Sequence, residues 1–506
     1  MARKRVRSQA SATLMLQRLI WLYFWLLVFE GALRKWILPQ YSSPLLVIRD
    51  PLVLLIYFVA VKNDLFKSSG FLRGVLIVST SSLLLAALQF ILLKVPLSVL
   101  VFGWRTNFLH LPLIFLIPQV MDLREVQRLG KWVLLVGIPM SMLMAYQFKS
   151  APDAWINRTP GLAGGTQLLS ALGKIRPAGT FSFITGPVSY FALASAFLVF
   201  ALKEGKANYP RLLLAVSGLA LALALAVSGS RSLVISAGIV AVAWLLSILA
   251  ARQVEAGVSK MLILLIITFA VLAQMELFKE GTEVLSIRWE AASLAESGEG
   301  GVLGRVLNSL VSPLKTLGNI PVFGHGLGVG TNVGATLLTG QAQFLLSEGE
   351  WGRVLMEMGS VMGLSFILFR VGLTIWLARL SIRCAVAGNT LPLLLFSACA
   401  VNIINGQIAQ PTTLGFTALG SGLCLAAIYG TPLPPAPTRR GRGGKSGHAP
   451  RQGSSSNCGR VTGLETGPES PIAKVSGYTR IAGSMNGART ARPRGPGAAG
   501  PAPPLG

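Results

Sequence analysis

Two arginines stand where apolar segments of this sequence begin or end. Arg176 opens the run Arg-Pro-Ala-Gly-Thr-Phe at 176–181, and Arg231 follows the Ser-Gly-Ser turn at 228–230. A guanidinium fork binds phosphate oxygens in pairs, and weak screening at a membrane boundary strengthens that attraction. The two arginines therefore predict an anion site, with interfacial anchoring of both side chains as the alternative.

A segment rich in carboxylates runs from Glu348 to Glu357. Glu350, Arg353 and Glu357 are three and four residues apart, so they share one helix face. This spacing fits a structural ion-pair ladder, and it fits equally a buried carboxylate that activates an acceptor hydroxyl. Trp351 could stack on a sugar or mark the membrane interface.

A glycine-rich segment at 324–330 contains His325. Glycines leave backbone N–H groups free to bind phosphate oxygens, but the Gly-Lys-Ser/Thr ending of a nucleotide-binding loop is absent. A flexible turn that returns the chain to a helix bundle is the alternative. A histidine at this place can accept a proton from an attacking hydroxyl near neutral pH, or it can simply be solvated.

Several charged residues lie within apolar segments, among them Arg49, Asp50, Arg105 and Arg370. A charge at the middle of a membrane costs about 2.5–3.5 kcal/mol on insertion scales, so its presence there calls for a structural or a functional explanation. Internal salt bridges and snorkelling side chains are structural reasons. The substrate path of a transporter is the functional one.

The elements that must position these residues are strongly apolar. Of the 506 residues, 52% are hydrophobic and 13% are charged, whereas soluble domains carry roughly 25% charged residues. The apolar residues come in blocks of about 20, which match the hydrocarbon core of a bilayer. Backbone groups there must pair internally, so the blocks must be helices.

We therefore predict an all-α fold, a polytopic transmembrane helix bundle of about twelve helices. The first apolar run continues without a small-residue cleavage site, which indicates a membrane anchor and not a signal peptide. The predicted helices are 14–36, 44–62, 71–93, 97–118, 131–148, 180–202, 210–228, 230–250, 260–277, 353–378, 388–407 and 411–429.

Positive charge sets the predicted orientation. The basic N-terminus, 1–13, and five short connections carry Lys and Arg, which places them in the cytoplasm. The transmembrane domain, 14–429, then exposes two extracytoplasmic loops, 149–179 and 278–352. The larger loop has seven Glu against four Lys or Arg. Its apolar residues recur at helical spacing over 303–317 and predict an amphipathic helix that bends or breaks near Pro313.

The C-terminal segment, 430–506, is rich in Pro, Gly, Arg and Ser, and we predict a disordered cytoplasmic tail. The net charge of +26 is explained by this tail and by the cytoplasmic connections, so no nucleic-acid partner is predicted. Four cysteines and three histidines lack metal-site spacing, so no metal is predicted.

These motifs, in this order relative to the helices, resemble the O-antigen ligase and O-antigen polymerase superfamily of bacterial membrane proteins. The resemblance rests on 176–181 followed by Gly186-Pro187, on Ser228-Gly229-Ser230-Arg231, on Phe323-Gly324-His325-Gly326-Leu327-Gly328, and on Glu357-Met358-Gly359 with Gly363. It spans residues 170–380, and the helix layout extends it over 14–429.

The resemblance implies a multi-pass protein of the bacterial cytoplasmic (inner) membrane that transfers a glycan from a polyprenyl-diphosphate carrier to an acceptor hydroxyl. It implies no cofactor, no metal and no nucleotide sugar. Arg176 and Arg231 would bind the diphosphate, and Trp351, Arg353 and Glu357 would contact the acceptor or form part of a lid.

The sequence departs from the family pattern in one place. Ligases of this family usually have a histidine shortly before the Glu-x-Gly helix, where this chain has Glu348-Gly349-Glu350-Trp351. Glu350, Glu348 or His325 would then serve as the base, and ligase and polymerase activity both fit. The alternative function is a transporter or flippase of lipid-linked or polar substrates. The sequence predicts no oligomeric state.

Overall fold

Long apolar helices make up the chain in a computed structural model, which describes residues 2–161, 165, 167–203, 209–251, 273–296, 301–341 and 343–431. The described residues form no β-strand and all belong to one compact unit, Met1–Ala436. The predicted all-helical class is thereby confirmed. The predicted tail, apart from Gly430 and Thr431, lies outside the described residues.

Sixteen α-helices are distinguished in the described residues. They are α1 (Ala2–Ala32), α2 (Ser42–Leu45), α3 (Arg49–Lys62), α4 (Gly70–Leu93), α5 (Leu97–Trp104), α6 (Leu113–Val120), α7 (Leu123–Lys149), α8 (Thr185–Lys203), α9 (Arg211–Val227), α10 (Arg231–Ala251), α11 (Glu276–Glu296), α12 (Gly301–Lys315), α13 (Asn332–Thr339), α14 (Glu350–Val386), α15 (Leu391–Asn405) and α16 (Pro411–Tyr429).

Nine helical segments of the described residues are long and apolar enough to cross a membrane. They are Gln9–Ile37, Pro39–Lys62, Gly70–Leu93, Leu97–Val120, Leu123–Lys149, Thr185–Lys203, Arg231–Ile248, Glu350–Val386 and Pro411–Tyr429. The helices α9 and α15 are apolar but shorter. These eleven segments coincide with eleven of the predicted helices, and most of the twelfth, 260–277, lies outside the described residues. A multi-pass membrane protein is therefore supported.

Side-chain caps begin several of these helices. The Ser69 hydroxyl accepts from the Leu72 amide at α4, and the Asp122 carboxylate accepts from the Glu125 amide at α7. Each cap satisfies an amide that has no partner within its helix. The ends of the spans are thus set locally.

The described residues of 273–296, 301–341 and 343–349 lie largely in helices. The predicted amphipathic helix over 303–317 is found as α12, which contains Pro313 and ends two residues after it. A 3-10 turn, Leu317–Asn319, leads into the glycine-rich segment, and α13 follows. Between α7 and α8 the chain forms a short 3-10 turn, Trp155–Asn157, and then a tight turn at 168–176.

Candidate functional site

The Arg176 motif is fixed in the bundle by its backbone. The Gly179 amide donates to the Gln147 side chain (2.8 Å), and the Gly179 carbonyl accepts from the buried Lys35 ammonium (2.6 Å). The Thr180 hydroxyl donates to the Val28 carbonyl (2.6 Å). These bonds hold the run 176–181 between α1 and α7. They therefore fix the position of the backbone that carries the Arg176 side chain.

Three parts of the chain meet beside Arg176: the turn 168–176, the turn 228–230 and α11. The Arg176 amide donates to the Leu168 carbonyl (2.8 Å), which closes the first turn. Gly229 has a φ of +54°, and a Cβ there would lie 2.6 Å from the Ser170 hydroxyl. The first two turns are therefore in direct contact.

Helix α11 packs on the same place. A Cβ at Gly281 would lie 2.8 Å from the Ala226 carbonyl, and Val284 is fully buried. Arg288 follows Val284 by four residues and so lies on the same helix face. The ion pair between Lys174 and Glu280 (2.7 Å) ties α11 to the turn 168–176.

Arg176, Arg231 and Arg288 form a cationic cluster at this junction. The pKa of Arg176 is lowered, first by desolvation and then by the charges of Arg288 and Arg231. The pKa of Arg288 is lowered by desolvation and then by Arg231. Among the described residues, the Nε atoms of Arg176 and Arg288 are buried and find no hydrogen-bond partner. Mutual repulsion with unsatisfied donors is the electrostatic pattern of an anion site.

The sequence alone did not predict a role for Arg288, which is one of the four Lys or Arg residues of the predicted loop 278–352. The spacing of Gly281, Val284 and Arg288, three and four residues apart, is the signal that would have placed it on the packed face of a helix.

A cavity of about 580 Å³, here called the large cavity, joins Arg176 to the predicted catalytic segment. The charged residues that line it are Arg176, Glu348, Glu30 of α1 and Arg34 of the π-helical turn Leu33–Ile37 that follows α1. Arg231 is not among the described residues that line it. Arg176 of the predicted diphosphate site and Glu348, one of the predicted bases, therefore line the same cavity.

A second cavity of about 230 Å³, the small cavity, adjoins the first and shares Arg34, Glu348 and Gln410 with it. Glu350 and Arg353 line it as well. The Arg34 guanidinium lies 3.6 Å from Glu30 and donates to the Ser182 hydroxyl. Arg34 thus belongs to the walls of both cavities.

Glu350, Arg353, Glu357 and Arg370 form a buried set that we call the inner ion cluster. Arg353 bonds Glu350 (3.0 Å) and Glu357 (2.6 Å), as the ladder spacing predicts. Arg370 bonds Glu350 (2.6 Å) and three backbone carbonyls of the α15 end. The negative charges of the two carboxylates equal the positive charges of the two guanidinium groups. Both carboxylate side chains are 0% exposed. The cluster fixes α14 against α15.

The three predicted bases differ sharply in their surroundings. Glu350 is held by Arg353 and Arg370 in the inner ion cluster. Glu348 is exposed and lines both cavities. His325 is exposed, lies 3.2 Å from the Met356 carbonyl through Nδ1, and is not among the described residues that line either cavity. Only Glu348 combines access with a place in both cavities.

Trp351 is buried and donates its indole N–H to the Ile404 carbonyl (2.8 Å). It therefore packs α14 against α15. Its contact with an acceptor or a lid stays a prediction.

The backbone donors of the glycine-rich segment are used inside the protein. The amides of His325 and Leu327 donate to the Met356 carbonyl and to the Gln89 side chain, and the Gly330 amide donates to Glu357. Cβ atoms at Gly324 and Gly328 would lie 2.4 Å from backbone oxygens. The glycines permit close packing, which favours the turn interpretation over a phosphate cradle.

A second set of buried charges, the polar chain, runs through α1, α3 and the π-helical turn Arg105–Leu109. Arg49 does not pair with its neighbour Asp50; it bonds Glu30 (2.9 Å) and the Pro411 carbonyl. Asp50 accepts from Arg105 and lies 3.0 Å from Nε2 of His110. The members of the polar chain are Glu30, Arg49, Tyr23, His110, Asp50 and Arg105.

Neither the protein-family models nor the curated proteins compared with this chain match it.

Proposed function

We propose that this protein is a membrane glycosyltransferase that moves a glycan from a polyprenyl-diphosphate carrier to an acceptor hydroxyl on the extracytoplasmic side. The observation that carries the proposal is the convergence of Arg176, Arg231 and Arg288 beside the large cavity, whose wall also contains Glu348. A concentration of arginines suits a strongly anionic group.

The bond changes of the proposed reaction use Arg176 and Glu348, which both line the large cavity. The acceptor oxygen forms a bond to the anomeric carbon of the glycan, and the bond from that carbon to the diphosphate oxygen breaks. The acceptor proton passes to a carboxylate, and the released lipid diphosphate keeps the bonding electron pair. The arginines stabilise the charge that develops on this leaving group.

Glu348 is the base in this proposal. A general base needs access to the acceptor hydroxyl and a free lone pair. Glu348 meets the first need because it lines both cavities. Glu350 bonds two arginines and serves to hold α14 in place.

The setting follows from the same proposal. The donor is a polyprenyl-diphosphate-linked glycan drawn from the lipid bilayer, and the protein acts in assembly of a cell-surface polysaccharide as a ligase or a polymerase. The protein lies in a bacterial inner membrane with both termini in the cytoplasm, and 278–352 covers the site.

A transporter or flippase is the second candidate, and the polar chain favours it. The Tyr23 hydroxyl lies 2.8 Å from Nδ1 of His110, whose Nε2 lies 3.0 Å from Asp50. Ionisable residues inside a membrane bundle often mark an ion or proton path. If the protein is a glycosyltransferase, the polar chain serves as structural support that holds α1 and α3 together.

The proposal is tested with purified protein in liposomes that contain a polyprenyl-diphosphate oligosaccharide and a hydroxyl acceptor, without nucleotide. We expect lipid diphosphate and glycosylated acceptor in equal amounts, with loss of both products in Arg176→Ala and Arg231→Ala. Arg305→Ala changes an exposed arginine of α12 and is the matched control. Movement of intact carrier across the bilayer with no glycosidic bond broken would instead establish the flippase.

A further inference from the structure

A groove of about 640 Å³ lies between α1 and α7, away from the candidate site. Its α1 wall presents Arg18, Leu22 and Trp25, spaced four and three residues apart. Its α7 wall presents Arg128 and Trp132, four residues apart. Each set lies on one helix face, so the groove is built by two facing stripes.

The two stripes have the same polarity along their helices. In both α1 and α7 an arginine comes first and a tryptophan follows one to two turns later. The bond from Gln17 to the Val120 carbonyl (2.7 Å) and the bond from Trp21 to Glu125 (3.2 Å) set α1 beside the start of α7. Arg18 and Arg128 therefore stand at one end of the groove, with the Arg128 guanidinium 5.8 Å from the Trp21 ring, and Trp25 and Trp132 lie further along it.

The groove surface is amphipathic and open to its surroundings. Leu14 is 58% exposed and Leu22 is 46% exposed. The rings of Trp25 and Trp132 meet edge to face at 5.4 Å. The Arg128 side chain is 66% exposed. Exposed apolar side chains beside cations, on helices apolar enough to span a membrane, match the layout of a phospholipid.

The charges at the arginine end favour an anionic lipid over a zwitterionic one. Glu125 is the carboxylate of the lining and pairs with Arg128 (3.4 Å), and Arg18 is the second cation, so the lining carries one net positive charge. Anionic headgroups are attracted to such juxtamembrane cations.

We infer that this groove is a binding site for one anionic phospholipid, with the phosphate between Arg18 and Arg128 and an acyl chain along Leu22, Trp25 and Trp132. The inference is independent of the proposed function, because no residue of the groove belongs to the candidate site.

The test is titration of the delipidated full-length protein with phosphatidylglycerol or phosphatidylcholine of identical acyl chains, followed by native mass spectrometry. We expect one tightly bound phosphatidylglycerol per chain and weaker binding of phosphatidylcholine. Arg18→Ala with Arg128→Ala should weaken phosphatidylglycerol binding by about fivefold for each arginine. Arg18→Lys with Arg128→Lys keeps the charge and should retain most of the binding.

The matched control is Arg124→Ala with Arg211→Ala, which removes the same charge from exposed positions outside the groove. Equal affinity for the two lipids, or equal loss in the control and groove variants, would overturn the inference. So would a dimer of the chain that forms through the groove and excludes phosphatidylglycerol. Because Arg18 and Arg128 are exposed, the melting temperature should not change and serves as the folding check.

Discussion

At the scale of the residue, neighbouring carboxylates of one short segment have different surroundings. Glu348 is exposed and lines two cavities, whereas Glu350, two positions later, is buried and bonds two arginines. The sequence analysis could not separate them, because both stand at the start of one predicted helix. The bond from Arg370 to Glu350 is what distinguishes the two carboxylates. Because Arg370 lies twenty residues further along the chain, no local spacing predicts this bond.

This difference predicts opposite outcomes for two conservative substitutions. Glu348→Gln should lower glycan transfer by about 10²–10⁴-fold, because a general base is lost, and should change stability by no more than about 0.5 kcal/mol. Glu350→Gln should lower the free energy of unfolding by about 3–5 kcal/mol, because Arg353 and Arg370 lose a buried partner. Thermal unfolding and the transfer assay measure both, with Glu283→Gln, an exposed carboxylate of α11, as the control. Full transfer activity in Glu348→Gln would exclude it as the base.

The cationic cluster predicts no loss of stability when Arg288 loses its charge. The pKa of Arg288 is lower in the folded protein than its ordinary value, so folding disfavours its charged form. This penalty is present at every pH below the folded pKa, including neutral pH, and fades only as pH rises through that pKa. Arg288→Gln should therefore melt no lower than wild type at pH 7 in the absence of an anion. A clear fall in melting temperature would show that Arg288 is a stabilising partner.

At the scale of the element, the break within α14 determines where the candidate site lies. Gly359 has a φ of +80°, and the Gln89 amide bonds the Glu357 and Phe323 carbonyls at the break. The glycine-rich segment packs into this gap. Periodicity predicted the helix, but a break that depends on partners more than two hundred residues away leaves no local pattern.

Gly359→Ala should therefore disrupt the protein, while Gly372→Ala in the same helix should be tolerated. A Cβ at Gly359 would lie 1.9 Å from the Val322 carbonyl, whereas a Cβ at Gly372 would make ordinary contact with Phe71 at 3.9 Å. The left-handed conformation and the collision together should cost at least about 2 kcal/mol. Thermal unfolding of the two variants side by side checks this. Equal melting temperatures would mean that the helix is continuous at 359.

At the scale of the whole molecule, hydropathy predicted the helices well and their mutual arrangement not at all. Nine membrane-crossing segments and two shorter apolar helices coincide with the predicted ones, because twenty apolar residues in a bilayer permit only a helix. Charge cannot reveal which helices touch. The pairing of Arg49 with Glu30, and of Arg105 with Asp50, follows from packing alone.

The proposed orientation predicts the accessibility of single cysteines. With Cys458→Ser as background, a cysteine at Ser293 should react with a membrane-impermeant maleimide in intact cells. A cysteine at Ser68 should react only after permeabilisation. Both positions are exposed, and Cys384, Cys399 and Cys424 are buried. Labelling in the reverse pattern would place 278–352 in the cytoplasm and remove the extracytoplasmic reaction.

The most direct measurement of the central claim is diphosphate binding by the arginine cluster. Purified wild-type protein should bind a polyprenyl diphosphate more tightly than the corresponding monophosphate. Arg176→Ala, Arg231→Ala and Arg288→Ala should each weaken diphosphate binding by about tenfold or more, the value of a charge-assisted hydrogen bond. Arg305→Ala should bind as wild type does. Equal affinities across all four variants would contradict the account, because the three guanidinium groups would then not hold the lipid-borne diphosphate.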